Sequence, residues 1–363
     1  MNNLKALSLF SGCGGDTLGL HLSNINVTHY VEYIKEFQKS HELNFPDCEL
    51  LGKDTKQLGD ITKIQDETYN ELKGKINVIF SGFPCQSFSS AGKKKEDDPR
   101  NTMFIYFVKA VSCILPQIII GENVKGLLTK KTSNKELYID IICREFQKIG
   151  YTLKYQVIKC NEYGVPQKRE RLFIIGIRND VLHQYNLSFP LPHTDSESFG
   201  LLNIIKYSMN RSIKITKEQF DFNSIPQECI LTNMNDDSNE QNPHPYIISK
   251  VRGPIEKRTY QNVVYQQILS FGKRASPIHL EIIDIRKPCK TIICTYEHQP
   301  RLFIPIQNKN GYFLRMLTIE ELLQIQSFHK NYQLHGTDKQ KIIQIGNSVP
   351  PLIVNKLIQH IIQ

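Results

Sequence analysis

The chain has 363 residues, 40% of them apolar, and a formal net charge of +9, so it can bury a large core and is expected to form one large domain with a smaller one. No stretch approaches the roughly 18 apolar residues of a membrane span, and the N-terminus lacks a secretory-signal pattern, which predicts a cytosolic protein. The nine cysteines show no CxxC pair and no metal-ligand spacing, so we expect reduced thiols and no metal site.

Six apolar segments within the first 180 residues predict the strands of a parallel α/β sheet. In chain order they read LKALSLFSG, THYVEY, KINVIFSG, PQIIIGEN, YTLKYQVIKC and RLFIIGIR. Residues 102–115 and 135–149 have the apolar spacing of helices. From about Phe189, prolines and polar residues interrupt the pattern, and regular structure returns with a helix that starts near Thr318.

A glycine cluster, FSGCGGDTLG, follows the first predicted strand and opens a helix. Glycines at such a turn allow the backbone to bend sharply and to approach a ligand closely. Glu32 ends the second strand, where a carboxylate can bind the hydroxyls of a ribose, and Asp60 and Ile61 mark a later strand end. The glycines are spaced too tightly for the dinucleotide fingerprint, so we favour another nucleoside-bearing cofactor; a tight turn without a ligand is the alternative.

Cys85 lies in GFPCQSFSSAG, a segment unsuited to a helix or a strand because a proline and several turn-forming residues surround the thiol. It follows the strand NVIFSG, so it emerges at the carboxyl edge of the sheet, where open α/β sheets bind ligands. Glu122 and Asn123 emerge from the next strand at the same edge. Arg169 and Arg171 in QKRER would share one face if the segment is extended. Each residue alone could be structural, but together they predict an active site.

The charge is unevenly distributed over the second half of the chain. Residues 190–249 contain 4 Lys and Arg against 8 Asp and Glu, whereas residues 250–301 contain 10 against 4. A basic stretch in a region of weak periodicity predicts a nucleic-acid surface. A solvated protein face is the alternative.

The motifs FSGCGG, GFPCQ, ENV, QKRER, RMLTIEELLQIQSF and IGNSVP occur in this order, and over nearly the whole chain they resemble the DNA cytosine-5 methyltransferases of prokaryotic restriction–modification systems. The resemblance implies the α/β fold of S-adenosylmethionine-dependent methyltransferases, with a Rossmann-like mixed sheet and a smaller, irregular target-recognition domain. It divides the chain into a catalytic and cofactor-binding domain (1–188), a target-recognition domain (189–310) and a C-terminal segment that returns to the catalytic domain (311–363). Ser327 and His329 depart from the glycine and proline that are common in the family.

The resemblance also implies an activity and the residues that carry it. A methyl group passes from S-adenosyl-L-methionine to carbon 5 of a flipped-out cytosine in a specific duplex sequence, through a covalent adduct with Cys85. Glu122, Arg169 and Arg171 contact the target cytosine. The implied cofactor site comprises Phe10, Gly12, Cys13, Gly14, Gly15, Leu18, Glu32, Tyr33, Asp60, Ile61, Pro84, Asn347 and Ser348. The candidate DNA contacts are Ser87, Lys93, Lys94, Lys95, Arg252, Lys257, Arg258, Lys273, Arg274 and Thr291. Thr291 could instead be a strand residue of the small domain.

The implied partners are double-stranded DNA and, in a restriction–modification system, a cognate endonuclease that acts separately. We expect a monomer that binds no membrane and lies at the bacterial nucleoid or, for a viral protein, in the host nucleus. One alternative is a transfer-RNA cytosine-5 methyltransferase of the same fold. Gln86 after the cysteine and the long segment before the C-terminal helix favour DNA. The other alternative, a catalytically silent DNA-binding relative, is disfavoured because Cys85 and Glu122 are both present.

Overall fold

The computed structural model describes residues 4–53, 59–84, 103–192, 199–253, 259–264, 267–274, 276 and 278–363. A seven-stranded sheet, sheet I, organises the first half of the chain. Its strands are β1 (Lys5–Leu9), β2 (Asn26–Val31), β3 (Glu49–Leu50), β4 (Val78–Ser81), β5 (Ile118–Val124), β6 (Tyr151–Lys159) and, after the short β7 (Gln167–Lys168), β8 (Glu170–Arg178). All six strands predicted from the sequence are present.

The strand order of sheet I is β3-β2-β1-β4-β5-β8-β6. Strands β1 to β5 are parallel, whereas β8 runs antiparallel to both β5 and β6. The residue pattern alone predicted a parallel sheet, and this is wrong at β8. The connection from β6 to β8 contains no crossover helix, and only antiparallel strands can be joined by so short a connection. The mixed sheet implied by the family resemblance is the correct description.

Helices cover both faces of sheet I, which is why its strands are apolar throughout. One face packs against α3 (Asp66–Asn70), α4 (Phe104–Ile114) and α5 (Tyr138–Lys148). The other packs against α1 (Gly15–His21) and α9 (Pro351–Ile361), while α2 (Lys35–Asn44) follows β2. The alternation is clear in β4, where Val78 and Phe80 belong to one core and Ile79 to the other.

A second, six-stranded sheet, sheet II, is formed by strands that lie between residues 212 and 316. Its strands are β9 (Ser212–Lys214), β10 (Leu231–Asn233), β13 (Leu269–Phe271), β14 (Leu280–Ile282), β16 (Leu302–Asn308) and β17 (Gly311–Met316), ordered β13-β14-β16-β17-β9 with β10 paired to β16. Because β17 pairs with β16 and β9, sheet II extends past the boundary predicted at residue 310. The same region contains α6 (Pro245–Val251) and the hairpin β11 (Thr259–Tyr260) and β12 (Val263–Val264), while β15 (Cys289–Lys290) pairs with β7.

The chain returns to sheet I through α7 (Ile319–Ile325), α8 (Asp338–Asn347) and α9. The helix predicted near Thr318 is confirmed: Thr318 caps α7, and its hydroxyl and the Glu321 side chain form a reciprocal capping box. Ser327, which replaces the family's usual glycine, has a left-handed φ of 68°, and its hydroxyl accepts a hydrogen bond from Leu352 N–H at 3.2 Å. Within the described ranges, no helix combines the length and apolar content needed to cross a membrane.

Candidate active site

The carboxyl ends of four adjacent parallel strands meet at one edge of sheet I, as the sequence predicted. Phe10 directly follows β1, Glu32 directly follows β2, and Pro84 lies just beyond β4, while β5 contains Glu122 near its carboxyl end. Seven of the predicted site residues lie outside the described residues: Cys85, Ser87, Lys93, Lys94, Lys95, Lys257 and Arg258.

Glu122 and Arg171 form an ion pair at this edge. Arg171 Nε lies 3.0 Å from Glu122 Oε1, and both side chains are largely buried. Antiparallel pairing of β5 with β8 brings them together, because Val124 is opposite Arg171 and Glu122 is opposite Phe173. Burial raises the pKa of the Glu122 carboxyl, and this effect exceeds the opposing influence of Arg171 and Arg169. A carboxyl of this kind can hold a proton and donate it to a ring nitrogen.

Asn123 links this pair to the segment that precedes Cys85. Its side-chain amide donates a hydrogen bond to Phe83 O at 3.2 Å, and Val124 N–H donates to the Asn123 side-chain oxygen at 2.9 Å. Phe83 is itself buried. The end of β5 thus anchors the backbone two residues before Cys85.

The segment that contains Arg169 and Arg171 is not extended, so the condition under which the two arginines would share one face is not met. Arg169 lies between β7 and β8, where its N–H donates to Gln167 O at 2.9 Å. This three-residue turn breaks the alternation of an extended strand. Arg169 is 1% exposed, and its guanidinium donates to the carbonyls of Ile292 (3.2 Å), Gly346 (3.1 Å) and Ser348 (3.0 Å). Of the two arginines, it is Arg171 that forms an ion pair with Glu122.

The glycine turn after β1 is tightly built against its surroundings. Gly12 has φ +59° and Gly14 φ +91°, a left-handed backbone that glycine adopts without strain. A Cβ on Gly14 would lie 2.6 Å from Phe45 Cε2, and one on Gly15 would lie 2.4 Å from Val349 O. At Gly12, by contrast, a Cβ would meet no atom of the described residues within 4 Å. Phe45 and Val349 therefore pack closely against the turn at Gly14 and Gly15, whereas no described residue packs against it at Gly12.

Glu32 holds this turn from the end of β2. Its carboxylate accepts hydrogen bonds from Gly12 N–H at 3.0 Å and Ile34 N–H at 2.8 Å, while burial raises its pKa. Tyr33, the next residue, is 67% exposed. Farther along, Asp60 accepts hydrogen bonds from the N–H and hydroxyl of Thr62 at 3.0 and 2.8 Å.

The other predicted cofactor residues divide into exposed and buried groups. Asn347 is exposed, whereas the side chains of Cys13, Leu18 and Ile61 are buried in the two cores. Ser348 is 8% exposed, and its hydroxyl lies 3.0 Å from Cys13 Sγ. The C-terminal motif IGNSVP is thereby joined to the glycine turn.

Comparison with known proteins identifies the family. The model of the C-5 cytosine-specific DNA methylases matches residues 4–363. The chain belongs to this family. It is therefore a methyltransferase that transfers a methyl group from S-adenosylmethionine to cytosine in DNA.

The methyltransferase is similar to bacterial proteins over nearly its whole length. It is 26% identical to the type II methyltransferase M.DdeI of Desulfomicrobium norvegicum, over 99% of this chain and 88% of that protein. It is 29% identical to the type II methyltransferase M.FnuDI of Fusobacterium nucleatum, over 96% of this chain and 91% of that protein. Among solved structures, the Spodoptera frugiperda DNMT2 mutant matches with a TM-score of 0.62 at 19% identity, covering 98% of both chains. The Entamoeba histolytica methyltransferase EhMeth gives 0.62 at 18% identity, covering 99% of this chain and 98% of that one. These two likenesses show the fold alone.

The residues around the glycine turn of the methyltransferase fit S-adenosylmethionine. Among the described residues, none lies within 4 Å of a Cβ placed on Gly12, as a ligand approaching the backbone requires. The Glu32 carboxylate is hydrogen-bonded to Gly12 N–H, and the next residue in the chain, Tyr33, has an exposed aromatic ring. These groups suit a ribose and a planar base. The composition of the turn therefore agrees with the cofactor of the family.

Four predicted DNA contacts of the methyltransferase fall within the described part of the recognition region. Arg252 pairs with Glu240 at 2.5 Å, and Arg274 lies 4.0 Å from Glu281. Lys273 is exposed in the turn after β13. Thr291 directly follows β15, and its hydroxyl donates to Lys168 O at 2.9 Å, which ties it to the catalytic region.

Sequence reasoning missed a buried carboxyl beneath the glycine turn. Asp16, in the first turn of α1, is hydrogen-bonded to the Ser8 hydroxyl of β1. Burial raises the pKa of Asp16 to about 7, and Glu122 adds to this effect. A charged residue within an otherwise apolar and glycine-rich helix start was the available signal, but an acidic first turn is also ordinary helix chemistry.

Proposed function

We propose that Glu122 and Arg171 recognise and activate the target cytosine, and that Cys85 is the nucleophile. The observation that supports this is the 3.0 Å ion pair between Arg171 Nε and Glu122 Oε1 at the carboxyl edge of sheet I. A protonated carboxyl can donate a hydrogen bond to ring nitrogen 3, and the guanidinium can donate to the exocyclic oxygen. These two contacts stabilise the negative charge that nucleophilic addition places on the ring.

Carbon 5 of cytosine is a weak nucleophile because the ring is aromatic and electron-poor. Addition of the Cys85 thiolate to carbon 6 forms a carbon–sulfur bond and moves an electron pair through the ring, which makes carbon 5 nucleophilic. When bound, S-adenosylmethionine would supply the electrophilic methyl group to carbon 5 and, as its sulfur–methyl bond breaks, would be left as S-adenosylhomocysteine. Loss of the proton from carbon 5 then allows the thiolate to leave, which restores the aromatic ring.

The remaining roles concern binding. Glu32 would bind the ribose hydroxyls of the cofactor, Tyr33 and Phe10 would contact its base, and Asn347 and Ser348 would close the site from the C-terminal side. Because a duplex hides carbon 6, the cytosine must be flipped out before Cys85 can reach it. Lys93, Lys94 and Lys95 would contact phosphates near the flipped nucleotide.

The recognition region would select one duplex sequence, and the enzyme would act as a monomer beside a separate cognate endonuclease. The type II names of its relatives support this setting. The basic stretch 250–301, with 10 Lys and Arg against 4 Asp and Glu, supplies the charge for phosphate contacts.

Covalent trapping tests the nucleophile. Bisulfite sequencing of DNA from expressing cells identifies the methylated site, and a duplex with 5-fluorocytosine at that position is then incubated with enzyme and cofactor. We expect a denaturation-resistant adduct whose tryptic map contains Cys85, because fluorine cannot leave as a proton does. Cys85→Ser is expected to bind the duplex without forming the adduct. A cross-link through another cysteine, or methylation of transfer RNA in preference to DNA, would contradict the proposal.

A further inference from the structure

Three buried polar side chains form a cluster, which we call the Arg169 hub: Gln167, Arg169 and Gln326. Gln167 and Gln326 are 0% exposed, and their side-chain amides are hydrogen-bonded at 2.5 Å. Gln167 lies in β7, whereas Gln326 ends α7. Buried polar groups cost free energy unless they are hydrogen-bonded, so the partners of this hub indicate what it holds.

One set of partners lies on the recognition side. Ile292 donates its N–H to the Gln167 side-chain oxygen at 2.9 Å and accepts a hydrogen bond from Arg169 at 3.2 Å. Its neighbour Thr291 bonds to Lys168 O at 2.9 Å. Residues 291–293 therefore sit against the hub through both backbone and side-chain contacts, while the Ile293 side chain is 50% exposed.

The other set of partners lies on the cofactor side. Ser348 O accepts hydrogen bonds from Arg169 at 3.0 Å and from Gln326 at 2.6 Å. Gly346 O accepts a third at 3.1 Å from Arg169. The Ser348 hydroxyl in turn lies 3.0 Å from Cys13 Sγ in the glycine turn. Two carbonyls of the IGNSVP motif are thus held by the same guanidinium that holds Ile292.

The two sides also touch directly, with little freedom to move independently. A Cβ on Gly346 would lie 2.4 Å from Cys294 N and 2.7 Å from Cys294 Cα, so the two backbones are in close contact. A displacement of residues 291–294 must consequently shift α8 or break the bonds of the hub. Packed and hydrogen-bonded contacts of this kind can transmit a binding event between sites.

We infer that Arg169, with Gln167 and Gln326, is a positioning residue that couples DNA binding at residues 291–294 to cofactor binding at Asn347 and Ser348. This inference rests on the proposed assignment of those two sites. Residues 291–294 held by bound DNA would fix Ile292 O, and the hub would in turn fix Ser348 O in the position that suits the cofactor. By linkage, the cofactor would raise DNA affinity by the same factor.

Calorimetry on the intact enzyme tests the coupling. S-adenosylhomocysteine is titrated into free enzyme and into enzyme saturated with the target duplex identified by bisulfite sequencing. For the wild type we expect the duplex to raise affinity at least about 5-fold, the lower end of typical coupling. For Arg169→Lys and Gln326→Met we expect near-normal affinity without DNA and an enhancement below about 2-fold.

Arg178→Lys is the matched control, since Arg178 lies at the opposite end of β8 and pairs with Asp180; it should keep the wild-type enhancement. If Arg169→Lys does not fold, Gln326→Met, which leaves the guanidinium in place, decides the question. A hub that is merely structural would lower both affinities together and keep their ratio, which would overturn the coupling. Wild-type enzyme that binds both ligands without enhancement would overturn it as well, with the proposed function intact. Failure of the wild type to bind S-adenosylhomocysteine at all would overturn both.

Discussion

Arg169 and Arg171 belong to the same five-residue motif, yet they serve different regions of the molecule. Arg171 Nε lies 3.0 Å from a carboxylate at the edge of sheet I. Arg169 donates to three main-chain carbonyls in the interior, two of them from the C-terminal motif. The first region, the Glu122–Arg171 pair, is an ion pair between two largely buried side chains at the carboxyl edge of sheet I. In the second region, the Arg169 hub, the guanidinium is hydrogen-bonded to the main-chain carbonyls of Ile292, Gly346 and Ser348.

The difference arises from one turn and from the partners that each guanidinium meets. The turn at Lys168 breaks the alternation of an extended strand, and the two guanidiniums have different partners. Burial lowers the pKa of Arg169 to about 9, with Arg171 contributing and Glu122 opposing. An arginine can replace water at several carbonyls because it carries five donors in a fixed plane. A guanidinium can therefore form an ion pair or donate to several carbonyls, and the local backbone geometry decides which of these roles each arginine takes.

The largest effect should follow from removing the carboxyl of the Glu122–Arg171 pair. Glu122→Gln keeps the size of the side chain but cannot donate a carboxyl proton to a ring nitrogen. We expect the single-turnover rate of methylation to fall by about 10²-fold or more, with little change in the affinity for S-adenosylhomocysteine. Glu170→Gln is the matched control, because Glu170 lies in the same motif but pairs with exposed Lys125. Equal losses in rate and in cofactor affinity would show that Glu122 is structural.

Lysine substitutions are expected to affect stability and catalysis differently at the two arginines. Arg169→Lys should lower the free energy of unfolding by about 2 kcal/mol, because one ammonium cannot reach the carbonyls that the planar guanidinium satisfies. Arg171→Lys should cost less, about 1 kcal/mol, since a lysine still places a cation beside the largely buried Glu122 carboxyl and loses only part of the hydrogen bonding, but it should slow methylation about 10-fold. Urea denaturation and single-turnover kinetics measure the two effects. If the two variants lose stability equally, the contrast between the regions fails.

Asp16 is a second buried carboxyl, and it differs from Glu122 in that its partner is a hydroxyl, that of Ser8, and not a guanidinium. Its pKa is raised from 3.8 to about 7 in the folded protein, so folded protein binds a proton that unfolded protein has released between these pH values. The stability that Asp16 provides is complete below about pH 4 and is lost as the pH rises through about 7. Asp16→Asn removes this titration. We expect the variant to gain stability relative to wild type by about 1 kcal/mol or more between pH 5 and pH 8, measured by urea denaturation.

A constant difference between Asp16→Asn and wild type across that pH range would contradict the assignment. Glu42→Gln, a change at a carboxylate that accepts from the Tyr30 hydroxyl, serves as the matched control for a general effect of charge removal.

The sequence predicted the strands of sheet I well because buried parallel strands are continuous apolar runs bounded by turns. Its capping pattern also located α7. Sheet II was not predicted, since its strands are short and lie among prolines and polar residues, where periodicity is weak. The carboxyl edge was predicted because strand ends are visible in a sequence, and Glu32 and Glu122 do lie at the carboxyl ends of β2 and β5. The position of Arg169 was not predicted, because a single three-residue turn within a motif leaves no recognisable pattern in the sequence.

The smallest expected effect concerns surface cations of the recognition region, where pairing again distinguishes two residues. Arg252 already has Glu240 at 2.5 Å, whereas Lys273 is exposed after β13. A cation that neutralises a phosphate contributes about 0.9 to the slope of log affinity against log salt concentration. Lys273→Ala should therefore flatten the slope by about 0.9 and weaken binding to target and non-target duplexes alike. Arg252→Ala should change it by less, because its carboxylate partner competes with phosphate for the guanidinium. Fluorescence anisotropy across a salt series measures both slopes, and a larger change for Arg252→Ala would reverse the predicted order.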